Sequence, residues 1–270
     1  MMSALWRELA RRDRALAMGG LLMAGGALAC IVLMPLDGRT ILGIDPWIKP
    51  AKFCVSIGVY FWTLAWFMGE ADRGARVRLA VVRWTALVTL TGEAVLIAMQ
   101  AARGTTSHFN DAMPFDAAVF RAMGAMIVGN TCAMPLFLTT LWRRIEPARA
   151  GYLLGIRLGI VLFVLGSLQG FMMVVQHAHS VPGPDGGAGL PLLNWSTTMG
   201  DLRPGHFLGL HALQVMPLAG ALLDRAWATP AAVRQWTVVG FAVLWTVAWA
   251  ALILQAMAGA PLLASLYNAS

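Results

Sequence analysis

The sequence predicts an all-α protein, a polytopic membrane bundle of about seven transmembrane helices with its N-terminus inside and its C-terminus outside. Three observations carry this. Of the 270 residues, 59% are apolar and only 12% charged, about half the charged share of a soluble domain. Apolar runs near the roughly 20 residues needed to cross the hydrocarbon core recur along the chain. Arginine marks every second connection between those runs, as the positive-inside rule requires.

The first element is a basic cytoplasmic segment, 1–15, with Arg7, Arg11, Arg12 and Arg14. The apolar run behind it, 16–36, is too long for a signal-peptide core and reads as a retained first span. Further spans fall at 51–69, 79–102, 117–142, 153–175, 204–223 and 235–257. Together they make one transmembrane domain, 16–258, followed by an outer tail, 259–270. Backbone groups in lipid must be satisfied within the segment, so the spans are helices. The three cysteines, Cys30, Cys54 and Cys132, lie inside spans and form no CxxC pair, so neither a disulfide framework nor a zinc ribbon is indicated.

With the N-terminus inside, fourteen arginines face the cytoplasm and six Lys or Arg residues face outward. Six acids lie on each side, leaving +8 inside and zero outside, and intramembrane Glu93 brings the total to +7. The basic excess is an orientation signal toward anionic lipid, and no nucleic-acid partner is expected. Trp84, Trp142, Trp227 and Trp236 sit where an inner aromatic belt belongs. The fifth span carries Gly151, Gly155, Gly159, Gly166 and Gly170, and the sixth Gly205 and Gly209. Such small-residue spacing lets helix backbones approach, placing the fifth span centrally. A weak repeat shows in Met134-Pro135-Leu136 against Met216-Pro217-Leu218, and in Gln100, Gln176 and Gln255 near outer ends.

The polar residues point to the outer side. All five histidines, His108, His177, His179, His206 and His211, fall at or near it. Glu93 lies in the middle of the third span, roughly 13 Å below its outer end at 1.5 Å per residue. A carboxyl there must be protonated, paired or facing a wet cavity. Thr89, Glu93 and Gln100 share one stripe of that helix. His211 sits about 10 Å into the sixth span, near the depth of Glu93 and of Gln169, and shares a face with Gln214. Glu93 and His211 are therefore expected to line one cavity as its reactive pair. The competing reading makes Glu93 a neutral carboxyl bonded to a neighbouring helix and His211 a core histidine bonded to a carbonyl. His206 and His211 lie about 140° apart around a helix, so both cannot face one small site.

Gln100, His108, Asp116, Arg121, Gln169, Asp201, Arg203 and Gln214 are candidate ligand-binding residues. Asp116 with Arg121, and Asp201 with Arg203, equally suit ion pairs that close the outer end of the bundle. His177, His179, His206 and His211 are the candidate metal ligands. In an extended stretch His177 and His179 would share a side, and the alternative is two solvated loop histidines. They open the longest connection, 176–203, whose Pro182-Gly183-Pro184-Asp185-Gly186-Gly187 suggests a lid. Asp45, Lys49 and Lys52, spaced by Pro46 and Pro50, suggest a shaped entrance.

The segments Asp45-Pro46-Trp47-Ile48-Lys49-Pro50-Ala51-Lys52, Arg103-Gly104-Thr105-Thr106-Ser107-His108-Phe109-Asn110 and the stretch 200–211 resemble those of a family of uncharacterised bacterial polytopic membrane proteins. The resemblance spans most of the chain and implies a multi-pass protein of the bacterial inner membrane, without an activity. The seventh span has neither the histidine pair of seven-helix zinc hydrolases nor the lysine of microbial rhodopsins.

Three functions follow from the residues. The first is a redox protein or enzyme holding a transition metal or haem through outward histidines and Glu93. The second is a transporter or proton-coupled permease using Glu93, His211, Gln169, Asn130 and Gln214 as a polar path, with Pro135 and Pro217 loosening two helices. The third is a sensor or assembly factor binding lipid or quinone. In each the partner beyond the bilayer is a small molecule, ion or quinone from the outer side.

Overall fold

The computed structural model describes residues 2–72, 74–142, 146–226 and 229–263. Arg73, Arg143, Arg144, Trp227 and the end of the expected tail lie outside them. Among the described residues the chain forms eight helices. They are α1 (Met2–Arg12), α2 (Arg14–Leu33), α3 (Ile48–Met68), α4 (Arg76–Ala102), α5 (Pro114–Leu141), α6 (Ala150–Gln176), α7 (Arg203–Ala226) and α8 (Ala231–Met257). Helices α2 to α8, two of them extended by a 3₁₀ turn, are long and apolar enough to cross a membrane. The protein is therefore an all-α, multi-pass membrane protein. The expected spans match these helices to within a few residues, except that α8 begins four residues earlier. Most starts come earlier than hydropathy suggests, because first turns recruit residues such as Ile48, Lys49, Arg76 and Pro114. The basic N-terminal segment is itself a helix.

The chain divides into two compact units, Met1–Arg143 and Arg144–Ser270. In the first, α1 is held by charge. Glu8 accepts from Arg11 and Arg12, whose bonds hold its carboxyl at about 2, below the ordinary carboxylate value. Arg12 also reaches Glu70 at 2.9 Å and the Trp66 carbonyl at 2.7 Å, tying α1 to the end of α3. Asp13 breaks the chain between α1 and α2. Its Oδ1 caps α2 by accepting from Leu16 N, and its Oδ2 accepts from Arg83 of α4 at 2.6 Å. Gly20 of α2 lies where a Cβ would strike the Trp62 indole of α3, whose Nε1 donates to the Ala17 carbonyl at 3.2 Å. At the other end of this unit Asp37 accepts from Arg39 and from Trp47 Nε1, and Arg39 reaches the Ala102 carbonyl. Chiefly the Arg39 bond, then Trp47, holds the Asp37 carboxyl far below its ordinary value.

In the second unit α6 and α7 pack along a seam of small residues. A Cβ on Gly155 would lie 2.5 Å from the Met216 carbonyl oxygen, and one on Gly166 would lie 2.6 Å from Gly209 backbone. The glycine spacing of α6 thus does what small residues do between membrane helices. Asp224 near the end of α7 accepts from the N–H groups of Gly151 and Tyr152, satisfying orphan donors at the start of α6, and Arg234 of α8 pairs with it at 3.1 Å. The long connection carries a two-residue antiparallel pair, β1 (Ser180–Val181) with β2 (Gly200–Asp201).

Candidate functional site

In the first unit, α4 places Glu93 about two and a half turns short of its far end, and the connection to α5 folds back over it. Glu93 is 1% exposed. Its Oε1 faces His108 Nε2 at 3.6 Å, just outside hydrogen-bond length, and among the described residues its buried Oε2 has no hydrogen-bond partner. His108 sits in that connection, its Nδ1 3.2 Å from Lys49 Nζ of α3 and 3.1 Å from Ser107 Oγ. An ammonium has no lone pair, so Lys49 donates and Nδ1 accepts. That assigns the ring proton to Nε2, the nitrogen facing the carboxyl. The result is a row of three ionisable groups, Lys49, His108 and Glu93, running from the half-buried entrance to a buried oxygen.

The row is walled by aromatic rings. Phe53, Phe109 and Phe120 lie 5.9, 6.1 and 6.2 Å from the His108 ring. Phe53 and Phe120 also border the cluster of Ile97, Val119 and Met123. The backfolding loop is stabilised by its own polar residues: Asn110 donates to Thr105 Oγ1 and the Thr106 carbonyl, both at 2.9 Å. Apolar walls keep water from Glu93 and leave the imidazole as its polar neighbour.

Gln100 and Asp116 are buried in a latch between α4 and α5. Gln100 Nε2 donates to Asp116 at 2.9 Å, and Arg103 donates to both. The ion pair expected of Asp116 thus forms with Arg103 and not with Arg121. Arg121 is exposed on α5. Toward the basic end Tyr60 donates to Asn130 at 3.2 Å and contacts Met134 Sδ, a buried polar cluster in which the sequence marked only Asn130.

The second unit treats its candidates separately. His206 donates from Nδ1 to the Gly166 carbonyl at 2.9 Å. His211 lies against Phe207, ring centroids 4.1 Å apart, one turn before Gln214. Gln169 donates weakly to the Leu202 carbonyl at 3.5 Å, and its Oε1 is buried without a partner among the described residues. Asp201 is buried and accepts from Ser196 N, Arg203 N and the Arg203 guanidinium, which also reaches the Asn194 carbonyl. His179 contacts Asp185 at 3.0 Å and lies 3.9 Å from Asp201. Burial raises the Asp185 carboxyl, but the His179 bond and charge and the Ser180 bonds outweigh it, and the net shift is downward.

Within the first unit the histidine facing Glu93 is His108. One expectation is corrected. The His177–His179 metal pair does not form, because α6 runs to Gln176 and His177 turns left-handed at φ 53° to cap it. An extended alternation cannot pass through that residue. Among the described residues no three His, Cys, Asp or Glu groups gather as metal ligands would. Lys49 was legible only as part of an entrance. Tyr60, Phe53 and Phe120 gave no sequence signal, being ordinary apolar-helix residues, and Phe109 was legible only as part of the 103–110 connection.

These features define a class: a multi-pass helical membrane protein with a buried carboxyl reached through an imidazole. No family model, curated protein or solved structure matches the chain.

Proposed function

We propose that this is a bacterial inner-membrane permease of the proton-coupled kind, in which Glu93 takes and releases a proton through His108 as a small solute binds from the outer side. The observation that supports it best is the Lys49–His108–Glu93 row, with its inner oxygen buried and unpartnered and its outer members half exposed. Intramembrane carboxyl groups are costly and mark ion or proton pathways. A neutral imidazole accepting at one nitrogen and donating at the other can pass a proton by ring tautomerisation. Polar groups continue deeper at Tyr60 and Asn130. The metal or haem reading has less support, since His206 and His179 are already engaged by Gly166 and Asp185.

Proteoliposomes containing a lumenal pH dye test the reading. Solute gradients of varied chemical class are imposed, and at least one is expected to drive proton movement that Glu93→Gln abolishes. Proton movement undiminished in Glu93→Gln, or none with any solute, would count against it. The phenylalanine cage around His108 favours a second reading, a quinone-binding site. Quinone retention that survives without any proton movement would select that one.

A further inference from the structure

A second site lies at the basic end of the first unit, away from Glu93. A cavity of about 580 Å³ opens where the turn between α3 and α4 meets the last turns of α5. Its lining includes Arg78, Thr139, Thr140, Leu138, Trp142 and Asp72. Arg78 Nη1 donates to Thr139 Oγ1 at 2.7 Å, and that hydroxyl in turn donates a hydrogen bond to the Leu136 carbonyl at 2.7 Å. Among the described residues the other arginines shown in ion pairs at this end meet carboxylates: Arg11 and Arg12 meet Glu8, Arg12 meets Glu70, and Arg83 meets Asp13. Arg78 is held in place by a hydroxyl instead, and its charge stays available beside the cavity. Among the described residues the acid on the lining is Asp72, which accepts from Gly74 N at 2.9 Å.

We propose that this cavity binds the phosphate headgroup of an anionic glycerophospholipid. Arg78 offers a planar fork matched to phosphate oxygens. Leu138 and Pro135 give an apolar wall along which an acyl chain can lie. Trp142, 69% exposed at the helix end, sits where indoles settle among headgroups. Basic residues at this end of a membrane protein face a leaflet whose anionic lipids they attract.

Native mass spectrometry of the full chain, released from mixed vesicles of phosphatidylglycerol and phosphatidylcholine, tests the assignment. Phosphatidylglycerol is expected to be retained in preference to phosphatidylcholine. Arg78→Gln should cut that retention roughly tenfold, the ratio carried by one lost charge-assisted hydrogen bond. Arg121→Gln, at the opposite end of the unit, should leave it unchanged. If Arg78→Gln does not fold, Leu138→Trp, which fills the cavity and keeps the arginine, should lower retention likewise. Equal retention of the two lipids, or phosphatidylglycerol retention unaffected by the substitution that folds, overturns the proposal. So does displacement of the lipid by millimolar inorganic phosphate, which would assign the site to a soluble phosphate.

Discussion

At the scale of single residues, Glu93 sets function against stability. A buried oxygen without a hydrogen-bond partner costs its desolvation, about 1–3 kcal/mol. Glu93→Met removes that oxygen while roughly keeping the volume, so the thermal unfolding midpoint in detergent should rise even as proton movement disappears. A fall in the midpoint would mean that the carboxyl is a structural hydrogen-bonding group. Asp185 carries the opposite sign of pH dependence to a buried base. Its carboxyl is held below its ordinary value by His179 and the Ser180 bonds, after burial has been offset. Its stabilisation is therefore complete above the ordinary aspartate value near 4 and is lost as pH falls through the lowered one. Hydrogen exchange at the Ser180 amide, which donates to Asp185 at 3.0 Å, should accelerate in that acid window beyond the intrinsic rate. In Asp185→Asn that acid-induced change should be absent.

At the scale of elements, helix identity was legible and helix partnership was not. The apolar runs and the glycine spacing of α6 are local signals, readable because one residue per 1.5 Å places them on a helix face. Which helix fills the glycine seam depends on the tertiary fold, and here it is α7. The obstacles facing Gly155 are the Met216 and Pro217 backbone, which cannot swing aside as a side chain can. Gly155→Val should lower stability by about 1–3 kcal/mol through overpacking, measured as a fall in the detergent unfolding midpoint. Asp13 does two tasks at once, capping α2 and pairing with Arg83. Asp13→Ala should cost about 0.5–2 kcal/mol for the cap; Asp13→Asn, which can still cap, should recover part of it.

For the whole molecule, seven apolar helices long enough to span predict termini on opposite sides of the membrane. The arginine asymmetry predicts a cytoplasmic N-terminus. A periplasm-active phosphatase fused after residue 270 should be active, and a cytoplasm-active fluorescent protein fused there should be dark; the reverse pair would invert the topology. The sequence by itself determined the helical class, the positions of the seven apolar helices, the charge asymmetry and the placement of Glu93 inside one of them, because hydropathy and helical period act over neighbouring residues. It did not bring His108 to Glu93, because depth along a helix is one coordinate, and rotation and neighbour are two more. Only the tertiary structure decided those: the connection after α4 folds back on itself, bringing His108 beneath Lys49 of α3 and onto Glu93. Contacts made by a loop's reversal leave no periodic trace in the chain.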